Sequence, residues 1–62
     1  MSEPYRVTLM HLGKMDWSAF IHGPALVVNG MTKGMVKEAA FTQIAEAMGD
    51  HHPRIVWIEE SK

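Results

Sequence analysis

The sequence predicts a small α+β domain of β-β-α-β order, with a three-stranded, mostly antiparallel sheet and one helix packed on a single face. Three observations predict it. The stretch from Met31 to Gly49 carries a helix start, an amphipathic body and a helix stop. Segments rich in β-branched and aromatic residues flank that helix on both sides. The chain has 62 residues, enough for one domain and no more. The reading is therefore a single domain over 1–62, with 1–4 as a flexible lead.

Taking the elements in order, Tyr5, Val7 and Leu9 alternate with Arg6 and Thr8, the period-2 signature of a half-buried strand. Met10 and Leu12 extend the apolar character onto its other face. Gly13 to Ser18 has the composition of a loop or wide turn. Phe20 to Asn29 reads as the second strand, strongest over Ala25-Leu26-Val27-Val28. Pro24 lacks an N–H for the ladder, so the Gly23-Pro24 point should be an edge, a bulge or a strand start. A hairpin centred near Asp16-Trp17 would set His11 opposite His22.

Asn29-Gly30 reads as a strand exit. Thr32 then serves as N-cap, with Met31 and Val36 in the hydrophobic-staple arrangement. At about 100° per residue, Val36, Ala40, Ile44 and Ala47 form one stripe, which Phe41 and Met48 widen. Gly49 is placed to stop the helix. After the Asp50-His51-His52-Pro53 loop, Arg54 to Glu59 reads as the third strand, with Ile55 and Trp57 on one face and Val56 and Ile58 on the other. The expected strand order is second-first-third (2-1-3), all neighbours antiparallel, with a right-handed crossover through the helix.

Composition narrows the function classes. There is no cysteine, so disulfides and thiolate metal sites are excluded. The formal charge is −1, from 6 Lys+Arg against 7 Asp+Glu, and the cations are scattered, which counts against phosphate-driven binding. No apolar run approaches the roughly 18 residues of a membrane span. The N-terminus lacks the basic-then-apolar build of a signal peptide. The expectation is a soluble cytoplasmic protein without a cofactor.

Four histidines are a high count for this length, yet His11, His22, His51 and His52 follow no known ligand spacing. They are read as polar sheet and loop residues, and no metal site is assigned. Ser18, His22 and Asp16 carry the chemistry of a hydrolytic triad, but a three-stranded layer with one helix offers no water-excluding cleft, and no catalytic residue is assigned. The glycines lack the spacing of a phosphate loop.

Pro24-Ala25-Leu26-Val27-Val28-Asn29-Gly30 followed by a helix resembles the proline-led strand of thioredoxin-like domains. The CxxC motif and the preceding βαβ half are missing, so the resemblance implies no redox activity. In size and build the chain is similar to short phage-encoded proteins that bind and block a host enzyme.

One helix covers one sheet face, so apolar residues on the reverse need another surface. The function expected is a non-enzymatic protein-binding module that inhibits or regulates a partner by occupying its surface. The partner is another protein, a second copy in a homodimer, or both. Its contact residues are Met10, Leu12, Met15, Trp17, Phe20, Ile21, Val56 and Ile58, drawn from the reverse face, the edge around Ile21–Val28 and the Met15-Asp16-Trp17 loop. Trp57 is read as core, and Trp17 as either a folded-back cover or an exposed anchor. The competing expectation is a small nucleic-acid-binding or regulatory domain using sheet aromatics with Arg6, Lys14 and Arg54.

Overall fold

The computed structural model describes residues 3–60. Residues 1 and 2 of the expected lead lie outside the described residues, and Glu3 and Pro4 belong to no regular element. The chain runs through strand β1 (Tyr5–Gly13), β2 (Asp16–Ile21), β3 (Leu26–Gly30), helix α1 (Lys33–Met48) and β4 (Ile55–Glu60). The strands form one sheet in the order β3-β2-β1-β4. β2 is antiparallel to both β1 and β3, whereas β4 is parallel to β1.

The α+β class with one helix therefore stands, but the sheet has four strands rather than three and is mixed rather than antiparallel. The segment expected to be one strand, Phe20 to Asn29, contains a reversal at His22–Ala25. Pro24 sits inside that turn, Gly23 has φ +100° and Ala25 φ +59°. Two such residues bend the chain back on itself. The additional reversal inverts every later element, so the final strand meets β1 parallel instead of antiparallel.

The first hairpin is also tighter than expected. Gly13 pairs with Asp16, leaving Lys14 and Met15 as the turn, and a register irregularity falls between His11 and Gly13. Asp16 to Ser18 is strand, not loop. His11 consequently faces Trp17 rather than His22.

Alternation along the paired strands gives each face its residues. The helix side carries Val7, Leu9, Ala19 and Ile21, all fully buried against Val36, Ala40 and Ile44 of α1. Tyr5, Trp17, Leu26, Val28, Ile55 and Trp57 pack around that cluster. α1 lies over β2 and β3. β4 is tied to it at the flank, where the Lys37 ammonium sits 5.2 Å from the centre of the Trp57 ring and Lys33 pairs with Glu59.

The helix ends follow their residues. The Thr32 hydroxyl accepts from the Met35 N–H at 3.1 Å, satisfying one orphan donor of the first turn, and the Thr32 carbonyl accepts the first intrahelical bond, from the Val36 N–H. Gly49 terminates the helix in the left-handed conformation, φ +66°. Met31, expected to pack on Val36, is exposed, as are Phe41, Ala47 and Met48. A 16-residue helix is about 24 Å long, against roughly 17 Å for five-residue β3. The buried stripe is therefore shorter than the amphipathic pattern.

Candidate interaction surface

The sheet face turned away from α1 carries Arg6, Thr8 and Met10 of β1, Ser18 and Phe20 of β2, Val27 and Asn29 of β3, and Val56, Ile58 and Glu60 of β4. Register aligns them into cross-strand rows. One row runs Val27-Phe20-Thr8-Ile58 across all four strands. The adjacent row runs Asn29-Ser18-Met10-Glu60. Val56 lies beside Arg6 in the row on the other side.

No element of the described residues packs over this face. Val27 is 57 % exposed, Val56 44 % and Ile58 37 %, while Met10 and Phe20 are half-buried by their neighbours. Phe20 is held in place by His22, whose ring meets it edge-on at 4.8 Å. The His22 Nε2 is in turn 2.9 Å from the Thr8 hydroxyl. The centre of the face is thus a rigid aromatic step beside a satisfied polar pair. Ser18 is buried, and its hydroxyl donates to the Val28 carbonyl at 3.3 Å.

Of the eight residues expected to contact a partner, four share this face: Met10, Phe20, Val56 and Ile58. Leu12 is exposed in the irregular end of β1, and Met15 is exposed in the turn after it. Trp17 and Ile21 lie on the opposite side. Ile21 is fully buried under the helix, and Trp17 packs against the core cluster with its ring stacked on that of His11. The edge expected around Ile21–Val28 is corrected as well. It spans two strands and their turn, and only β3 lies at the sheet margin. Val27 was not singled out and is the most exposed apolar residue of the open face; its alternation with Leu26 and Val28 carried the signal.

The chemistry weighed for the polar residues finds no assembly. His11 and His22 project from opposite faces. Among the described residues no three His, Asp or Glu side chains come together as metal ligands would. Ser18 and His22 are four positions apart on one strand line, roughly 13 Å at about 3.3 Å per residue, and each already has a different partner. In the Asp50-His51-His52 loop, the Asp50 carboxylate accepts from the His52 N–H at 3.1 Å, which closes a local turn. Arg6 and Arg54 lie near the start of the β1–β4 pair, and Lys14 at the far hairpin. The three cations do not form a continuous strip. Among the described residues no helix is long and apolar enough to cross a membrane. No protein-family model, curated protein or solved structure matches this chain.

Proposed function

We propose that this protein is a non-enzymatic binding module that inhibits or regulates a partner protein by occupying its surface, with the open sheet face as the contact. The observation that carries this reading is the row Val27-Phe20-Thr8-Ile58, flanked by Met10 and Val56, on a face that nothing in the described residues covers. Its centre sets the Phe20 ring beside the Thr8–His22 pair, and among the described residues its charges are Arg6 and Glu60 at the margins. Charge kept to the rim around aromatic and aliphatic side chains is the anatomy of a protein contact. Exposed Leu12 and Met15 extend it beyond the hairpin end, and Met adapts to irregular partner surfaces.

Affinity capture from the native host, read by mass spectrometry, tests the reading when run with the wild type and a Phe20→Lys variant in parallel. The expected result is one protein, or a second copy of this chain, retained by the wild type and lost from the variant, with both folded by circular dichroism. Equal recovery of every protein by both chains would remove the open face from consideration. Titration with DNA and RNA at two salt concentrations separates the competing class, because phosphate contacts weaken steeply with salt.

A further inference from the structure

Between the margin of the sheet at β3 and the flank of α1 lies an open groove of about 520 Å³, lined by Val28, Asn29, Met35, Glu38, Thr42 and Gln43 together with Ala39. We infer that this groove and the β3 edge together form a strand-addition site for an extended peptide segment of a partner protein that presents a basic side chain between apolar ones. The groove lies on the helix side of β3, away from Phe20 and Ile58, although Val27 and Asn29 of the edge belong to the open face as well.

Two observations lead there. The first is the edge itself. Exposed edges in native sheets are blunted by charges, prolines or bulges, because their free N–H and C=O groups recruit other strands. Leu26-Val27-Val28-Asn29-Gly30 has no charge and no proline, and its pairing with β2 is unbroken from Trp17–Gly30 to Ile21–Leu26. The opposite edge, β4, ends in Glu59 and Glu60. The Ser18 hydroxyl reaches the Val28 carbonyl, which requires that carbonyl to point toward β2. Alternation then turns the N–H and C=O groups of Val27 and Asn29 outward. An added strand would bond to those two residues.

The second observation is what lies beside the edge. A strand placed against β3 directs alternate side chains toward α1, where Val28, Met35 and Ala39 offer apolar contact and Thr42 and Gln43 offer polar contact. Among the described residues, Glu38 is the only charged one lining the groove. It selects a cation on the incoming strand, at the position between two apolar side chains. A second copy pairing β3 to β3 by a two-fold axis would bring both Glu38 carboxylates toward one seam, which like-charge repulsion disfavours. The occupant assigned is therefore a different chain, held by main-chain hydrogen bonds and sorted by the groove.

The test uses the full chain, isotope-labelled for amide NMR, and the blocked peptide Thr-Val-Thr-Lys-Thr-Val-Thr, with an analogue carrying Glu in place of Lys. The lysine peptide should shift the Val27 and Asn29 amides and bind at least about tenfold more tightly than the glutamate analogue. Glu38→Lys, an exposed helix substitution, should reverse that preference. Val27→Pro removes an outward donor without touching the β2 ladder and should abolish binding. Absence of binding, shifts confined to Phe20 and Ile58, or a preference unmoved by Glu38→Lys would each overturn the assignment. So would a sedimentation dimer of the free protein that Val27→Pro dissociates, which would give the edge to a second copy. Val27→Pro also removes an apolar side chain of the open face, whereas Glu38→Lys leaves that face untouched, so the Glu38→Lys arm decides this assignment and its failure leaves the proposed function standing.

Discussion

The indole of Trp17 lies flat on the imidazole of His11, with ring centroids 4.2 Å apart and planes within 6° of parallel. The two residues are cross-strand partners in β1 and β2, on the helix side of the sheet. Trp17 therefore covers the end of the core instead of projecting as an anchor. Trp17→Ala should lower stability by about 1–3 kcal/mol, below the 3–5 kcal/mol typical of fully buried aromatics because the ring is only half-buried. Urea unfolding followed by far-ultraviolet circular dichroism measures it. An unchanged midpoint together with lost partner capture would return Trp17 to the contact surface.

Ala25 occupies the left-handed region at φ +59°, where its Cβ crowds the backbone. Glycine has no such penalty there. Ala25→Gly should raise stability by up to about 1 kcal/mol, net of the greater freedom glycine has in the unfolded chain. For a domain of this size that is a shift of roughly 4–8 °C or less in the thermal midpoint. A lowered midpoint would contradict the turn geometry.

Gly30, at the end of β3, lies close against the first turn of α1. A Cβ built on it would stand 3.0 Å from the Val36 nitrogen and 3.3 Å from the Val36 Cα and Cβ. Two of those atoms are backbone inside the first turns of α1 and cannot swing aside. Gly30→Ala should cost about 1–3 kcal/mol through overpacking. Thermal unfolding by calorimetry reads it, and a neutral result would mean that α1 slides freely on β3.

The Thr32 cap gives a graded expectation. Thr32→Ala should lose about 1 kcal/mol, and Thr32→Ser almost nothing, because the serine hydroxyl can accept the same Met35 N–H. Equal losses would trace the effect to packing of the threonine methyl rather than to the cap.

For the open face, the double variant Val56→Thr with Ile58→Thr keeps β-branched shape and strand propensity while removing apolar contact. Its stability should fall by less than about 1 kcal/mol, since both side chains are substantially exposed. Its recovery of a partner in affinity capture should drop to background. Full recovery would detach β4 from the interface.

The helix was legible because three independent signals coincide within it: the Thr32 cap, the Val36-Ala40-Ile44 stripe and the Gly49 stop. β1 was legible from strict alternation. The second hairpin was not, because Pro24 within an apolar run fits a kinked strand as well as a turn. Its last residue is an alanine, which gives no hint of a positive φ. The topology error follows from that one turn. On the candidate surface, Met10, Val56 and Ile58 emerged from the reverse face that alternation assigns, whereas Phe20 entered as a contact residue with no face assigned. Phe20 and Ile21 were expected in the same surface, yet adjacent residues of a strand face opposite ways, so only one of them could lie there. The loop reading of Asp16 to Ser18 left the side taken by Trp17 undetermined.

The parallel seam between β1 and the edge strand β4 joins Tyr5 to Ile55, fifty positions later, whereas both hairpins close over turns of a few residues. The two hairpins can zip up from local contacts alone, but β1 stays half-paired until the whole helix has been laid across and β4 returns. Closing so long a loop is slow relative to hairpin formation. During synthesis, then, the vacant flank of β1 stands open to rival strands until β4 has left the ribosome, and destabilising β4 would prolong that hazard before it weakened the finished fold.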